Sequence, residues 1–107
     1  MSMTELEELV QNYLDKLEWQ HPPQRSDRFI ANSMGKWACK ELLRDIHMSI
    51  SGELPFHLTP VELLENFIDR MNRYACEIGN KNARYRFSTA ADTGEYFMEE
   101  YWQRAAK

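Results

Sequence analysis

The sequence predicts an all-α, single-domain bundle of about four helices, and three observations lead to that prediction. Apolar residues recur at steps of three and four along most of the chain, as they do on one face of an α-helix. Glycine and proline are scarce, at four residues each among 107, which favours long elements over many tight turns. A hydrophobic share of 43% is enough for one core, so one domain over residues 1–107 accounts for the whole length.

The first helix is expected at residues 4–20. Thr4 and Glu7 have the spacing of a capping box, and an apolar stripe of helical period follows them. Neither Pro22 nor Pro23 can continue a helix, so the element must end before them.

The second helix is expected at residues 27–51, after a capping Ser26 or Asp27 and before Gly52. Small residues fill the first half of its predicted core face, which allows an irregular packing of the bundle. Gly35 costs about 1 kcal/mol relative to alanine inside a helix. We therefore expect another backbone to cross close to it. The predicted core face consists of Ala31, Gly35, Ala38, Cys39, Leu42, Leu43, Ile46 and Ile50.

The third and fourth helices are expected at residues 60–78 and 89–105. The third has a strong start signal, because Thr59 is suited to cap it and Pro60 to occupy its first position. Glu62 completes a capping box with the threonine. A Gly-Asn pair follows the apolar stripe and is expected to end the helix.

Basic and aromatic residues alternate just before the fourth helix. In an extended backbone Tyr85 and Phe87 would lie on one side, with Arg84 and Arg86 on the other. Two interpretations remain open. The aromatic side chains cover the end of the bundle while the arginines face solvent or neighbouring acids, or the segment contacts an external partner such as single-stranded nucleic acid.

The charge of the chain argues against a nucleic-acid-binding protein that uses its whole surface. Seventeen acidic and 13 basic residues give a net charge of −4. The second helix nevertheless carries a basic ridge with four-residue steps, which either meets phosphates or an acidic partner, or is a solvated face paired with Glu41 and Asp45. The alternative function is thus a nucleic-acid-associated regulator. Its candidate basic patch is Lys36, Lys40, Arg44, Arg84 and Arg86.

The same region does not form a helix-turn-helix by sequence. The spacing of Ala31 and Gly35 is similar to the turn of that motif. Lys36 and Glu41, however, occupy positions that are usually apolar there. The pattern therefore predicts one continuous helix.

No pattern in the chain predicts catalysis, a cofactor, a metal site or a small-molecule ligand. The Glu-x-x-His spacing occurs once, at Glu18 and His21, whereas di-iron bundles need two copies. No phosphate-binding glycine loop is present. Cys39 and Cys76 lie in helical patterns, where small buried thiols are expected. The absence of a signal pattern and of a long apolar run predicts a cytoplasmic protein without membrane contact.

The aromatic content favours a non-enzymatic interaction or regulatory module. Tryptophan, tyrosine and methionine exceed what four short apolar stripes need, and these residue types are enriched in protein interfaces. The fourth helix has an apolar arc wider than one buried stripe, so we expect it to contact a protein partner or a second copy. No motif covers enough of the chain to name a family. The candidate interface is Tyr96, Phe97, Tyr101 and Trp102.

Overall fold

The described residues, 2–24, 26–54 and 57–105 of this computed structural model, form four α-helices that pack as a bundle. The predicted all-α bundle is confirmed. Among these residues no helix is both long enough and apolar enough to cross a membrane. The helices are α1 (Met3–Trp19), α2 (Asp27–Ser51), α3 (Pro60–Glu77) and α4 (Lys81–Ala105).

The order of packing is α1 on α2, α2 on α4, and α4 on α3. The most extensive interface is that between α3 and α4, which only residues 78–80 connect, so the two run antiparallel as a helical hairpin. All four helices contribute to one core. Its largest fully buried side chains include Leu6, Val10, Leu42, Ile46, Leu64, Phe67, Met71 and Phe97.

Two helix starts show how local chemistry sets the boundaries. The capping box at α3 is confirmed: the Thr59 hydroxyl accepts the Glu62 N–H at 3.2 Å, and the Glu62 carboxylate accepts the Thr59 N–H at 3.1 Å. At α1 the predicted cap at Thr4 is wrong. Ser2 has the extended backbone of a cap and accepts the Glu5 N–H at 3.1 Å, so Thr4 already lies inside the helix.

The predicted start of α4 at residue 89 is also wrong, because the helix begins at Lys81. The side-chain oxygen of Asn80 accepts the backbone N–H groups of Asn82 at 2.9 Å and Ala83 at 3.4 Å. The residue that was expected to end α3 therefore acts as the cap of α4. Arg84 strengthens this junction by donating its Nε–H to the carbonyl of Ile78 at 2.7 Å.

The core face of α2 follows the prediction in its middle and departs from it at both ends. Ala31 and Ile50 are exposed, whereas Asn32 is buried with 5% of its surface accessible. The Asn32 amide donates to the carbonyl of Leu17 at 2.9 Å. The buried side of α2 thus faces the last turn of α1 at this end, which places Asn32 inside and leaves Ala31 outside.

Glycine permits two close helix contacts. A Cβ at Gly35 would lie 3.0 Å from Leu17 Cδ1 of α1 and 3.9 Å from Thr93 Oγ1 of α4. The expected close contact with neighbouring helices is therefore confirmed, but the expected approach of another backbone is wrong, because the described atoms within 4 Å belong to side chains. A Cβ at Gly94 would lie 2.9 Å from both Ile68 and Phe67 of α3. Gly94 therefore sets the spacing of the α3–α4 hairpin.

Candidate interaction surfaces

The four aromatic residues predicted as an interface divide between the core and the surface. Phe97 is fully buried and packs edge-on against Tyr13 at a centroid distance of 5.3 Å. It lies two helical turns beyond Ala90 on the same buried face, so it is a core residue and is not accessible to a partner. Tyr96 packs on Tyr13 at 4.9 Å while 39% of its surface stays exposed.

Trp102 is the most exposed of the four, with 56% of its surface accessible. Its ring meets that of the half-buried Tyr101 almost at a right angle, with a centroid distance of 5.2 Å. Trp102 borders an open groove of about 560 Å³ between α3 and α4. We call this surface the α3/α4 groove. It is lined by Ile68, Glu95, Met98, Glu99, Trp102 and Gln103.

The α3/α4 groove has an apolar floor and an acidic rim. Ile68 and Met98 are partly buried beside Trp102, while Glu95 and Glu99 are exposed along α4. Among the described residues neither glutamate forms an ion pair, and no lysine or arginine lines the groove. Glu65 is also exposed, about one turn before Ile68 on α3. The groove is therefore a negatively charged, partly apolar surface.

Trp19 provides an internal comparison at the end of α1. It is 84% exposed and lies with the exposed carboxylates of Asp15 and Glu18. Among the described residues only those three line the surface depression there, so within this part of the chain the tryptophan has acidic neighbours but no apolar floor. Both exposed tryptophans therefore have acidic neighbours. They differ in that Trp102 also has apolar side chains, Ile68 and Met98, beside its ring.

The five residues of the candidate basic patch do not all lie on one surface. Because α2 is one continuous helix, its ridge residues Lys36, Lys40 and Arg44 share one face. Arg86 of α4 borders a small cleft with the Phe29 to Met34 part of α2. Arg84 is not among the described residues that line this cleft, and it donates instead to the carbonyl of Ile78, just beyond α3.

The expected pairing of the ridge with neighbouring acids is half right. Arg44 forms an ion pair with Glu41 at 2.9 Å. Asp45 instead pairs with Arg70 of α3 at 3.2 Å and so ties two helices together. Two members of the ridge, Lys36 and Lys40, have no carboxylate partner among the described residues.

Tyr85 and Phe87 lie on different sides of α4, because the backbone of this segment is helical and not extended. Phe87 is half-buried between Trp37 and Tyr74, at centroid distances of 6.0 and 5.4 Å. Tyr85 is two residues away, about 200° round the helix, and is exposed. Phe87 therefore packs against the core, as an aromatic side chain that covers the bundle would, whereas the same expectation is wrong for Tyr85.

Among the described residues, no cysteine or histidine lines the α3/α4 groove. Cys39 is buried, and its burial raises the pKa of the thiol to about 12, whereas Cys76 is exposed. His47 of α2 contacts Glu7 of α1 at 3.2 Å on the surface. Within the part of the chain that the structure describes, no three His, Cys, Asp or Glu residues are grouped to hold a metal ion.

Comparison with known proteins yields no family model, no curated protein and no solved structure that matches this chain. The chemistry of the two surfaces is therefore the basis for a functional hypothesis.

Proposed function

We propose that this protein is a non-enzymatic protein-binding module that uses the α3/α4 groove as its contact surface. The observation that carries the proposal is the position of Trp102, half exposed at the edge of an apolar floor. Large aromatic side chains beside such floors are the usual anchors of protein interfaces. The partner is either another protein or a second copy of this chain.

The proposal distinguishes Trp102 from the other exposed tryptophan. An exposed ring gains binding energy when a partner removes it from water together with adjacent apolar surface. Trp102 has that surface in Ile68 and Met98, and Trp19 lacks it. We therefore expect binding to depend on Trp102 and to be insensitive to Trp19.

The test compares the parent protein with Trp102→Ala and Trp19→Ala. Chemical cross-linking in extracts of the source cells detects a partner, and light scattering at micromolar concentration detects self-association. Products that disappear in Trp102→Ala and persist in Trp19→Ala are expected. Products that are unaffected by Trp102→Ala would contradict the proposal.

A second candidate function is nucleic-acid association through the basic ridge of α2. It is supported by the position of Arg86, which lies beside the helix that carries Lys36, Lys40 and Arg44. Titration of labelled single-stranded and duplex DNA at two salt concentrations tests it, because phosphate contacts weaken as salt rises. On this hypothesis Lys40→Gln and Arg86→Gln weaken binding, whereas Arg84→Gln leaves it unchanged. Equal losses in all three variants would argue against it.

A further inference from the structure

We propose that the occupant of the α3/α4 groove is a basic amphipathic helix of a partner protein. This inference rests on the proposed function and adds the chemistry of the partner. The occupant presents an apolar stripe to Ile68, Met98 and Trp102, and it places lysine or arginine residues against the glutamates of the rim.

The shape of the groove fits a helix. Glu95, Met98, Glu99 and Trp102 follow the spacing of one helical face, and together they cover about 10 Å of α4, or two turns. The groove follows α4, with Ile68 of the antiparallel α3 in its lining, and apolar grooves on helical surfaces accept the apolar face of another helix. Met98 at the floor is a flexible side chain that adapts to irregular surfaces.

The charge of the rim selects the occupant. Glu95 and Glu99 are exposed, and among the described residues they have no ion-pair partner of their own. Glu65, about one turn before Ile68 on α3, is exposed as well. A basic segment is drawn toward this field and an acidic one is repelled, so complementarity affects both the rate and the choice of partner.

The same charge disfavours a second copy as the occupant. A symmetric dimer places the same surface of each copy face to face. The rim glutamates of one copy would then meet those of the other, and no basic residue lines the described groove to neutralise them. A partner of opposite charge avoids this repulsion.

The experiment uses two synthetic peptides of about 18 residues with the same leucine stripe, one with lysine and the other with glutamate at every polar position. Each is titrated into isotopically labelled protein, and the indole N–H signals of the tryptophans are followed by NMR. The leucine-lysine peptide is expected to shift the Trp102 signal and leave the Trp19 signal in place. Raising the salt from about 50 to about 300 mM should weaken this binding.

Matched variants separate the groove from general attraction to an acidic protein. Trp102→Ala should lower the affinity for the leucine-lysine peptide at least about thirtyfold, which is the effect of a typical anchor residue. Glu95→Gln with Glu99→Gln should lower that affinity roughly threefold to tenfold. Asp15→Asn with Glu18→Gln removes the same number of charges around Trp19 and should have no effect.

The failures of the two proposals are distinguishable. If both peptides bind with equal affinity, or if the two charge variants lose the same affinity, the occupant is not a basic helix. The groove would then remain a protein-binding surface of other specificity. A dimer that the parent protein forms at low salt, and that Trp102→Ala dissociates, likewise replaces the basic helix by a second copy. A leucine-lysine peptide that binds without shifting Trp102, or that does not bind at all, overturns the inference. The cross-linking comparison of Trp102→Ala and Trp19→Ala decides the proposed function independently.

Discussion

Asn32 is a buried polar residue that joins the ends of two helices. Its side-chain N–H groups donate to the Leu17 carbonyl at 2.9 Å and to the Gln20 side chain at 3.3 Å. The Leu17 carbonyl also accepts the backbone N–H of Gln20 at 3.2 Å, so the Asn32 amide is a second donor to it, supplied by another helix. A hydrophobic pattern assigns a polar residue such as Asn32 to the surface, but in the structure Asn32 is part of the α1–α2 contact.

Replacing Asn32 by alanine should lower the free energy of unfolding by about 0.5–1.5 kcal/mol, because the Leu17 carbonyl loses one of its two donors and keeps the Gln20 N–H. Asn32→Asp should cost more near neutral pH, since an ionised carboxylate would face that carbonyl, and the difference should narrow near pH 4 as the carboxyl becomes protonated. Urea unfolding measures both. Asn12→Ala, at an exposed site of α1, is the control, and an equal loss there would contradict the assignment.

Cys39 and Cys76 should differ in thiol reactivity. Burial raises the pKa of Cys39 to about 12, so this side chain stays protonated and inaccessible in the native state, whereas Cys76 is exposed. A thiol reagent near pH 8 should modify Cys76 rapidly and Cys39 only after unfolding. Comparison with Cys76→Ser, which should be unreactive when folded, checks the assignment. Rapid labelling of that variant would show that Cys39 is accessible.

The same thiol should make stability depend on alkaline pH. The unfolded chain releases the Cys39 proton from about pH 9, while the folded chain keeps it until about pH 12. Protons are then bound more tightly by the native state, so the free energy of unfolding falls as pH rises through this window, by up to about 1.4 kcal/mol per pH unit. The pKa of Tyr13 is also raised by burial and adds to the loss above pH 10. Cys39→Ala should remove the part of this pH dependence that comes from Cys39 and leave the part from Tyr13. If the free energy of unfolding of this variant falls with pH as steeply as that of the parent protein, Cys39 is not the cause.

At the level of elements, the sequence predicts helices well where their ends carry unambiguous chemistry. The threonine, proline and glutamate at the start of α3 admit one interpretation, and the structure confirms it. Asn80 admits two, because asparagine both ends helices and begins them. Its second role adds the eight residues before Thr89 to α4. Those residues contain an alternation of basic and aromatic types that resembles a strand, and local pattern alone does not exclude that reading.

The surface site was only partly predictable for a related reason. Helical spacing correctly assigned aromatic residues to the carboxyl-terminal half of α4, but it did not show which of them face α1 and α3. Phe97 belongs to the core because Ala90, Ala91 and Gly94 turn the same face inward. The signal was present in these small residues, which match the pattern around Gly35. The groove itself depends on Ile68 from another helix, and only the folded chain brings the two together.

The two buried glycines should respond differently to substitution. A methyl group at Gly94 would press on the Phe67 ring and on Ile68 Cγ1, which lies near its backbone, so Gly94→Ala should destabilise by about 1–3 kcal/mol despite a better helix propensity. At Gly35 the clash is with the tip of Leu17, which moves more freely, so alanine should be nearly neutral. Leucine at Gly35 should cost about 1–3 kcal/mol through overpacking.

Thermal melting of the three variants provides the measurement. Gly79→Ala is the matched control, because nothing lies within 4 Å of a Cβ at that site. Equal melting temperatures for Gly94→Ala and Gly79→Ala would show that the α3–α4 hairpin has room to separate.

For the whole molecule, the arrangement of charge sets apart two surfaces. The acidic α3/α4 groove lies on the α3–α4 hairpin, and the basic ridge lies on the outer face of α2. The helices α2 and α3 have little contact with each other. A bundle in which α4 packs between α2 and α3 therefore keeps these surfaces on different helices. Opposite charges on separate faces favour partners of different chemistry over a single shared interface.

The last prediction is that repulsion between acidic rims keeps the protein monomeric at low salt, even though Trp102 and its apolar floor are exposed. Raising the salt to about 0.5 M screens exposed charges beyond a few ångströms and strengthens apolar association. Light scattering should then detect dimers, and Glu95→Gln with Glu99→Gln should form them already at low salt. Trp102→Ala should stay monomeric under every condition, whereas Trp19→Ala should behave as the parent protein. Dimers that form at low salt and dissociate at high salt would mean that opposite charges hold the copies together, which would place the basic ridge of one copy in the groove of the next.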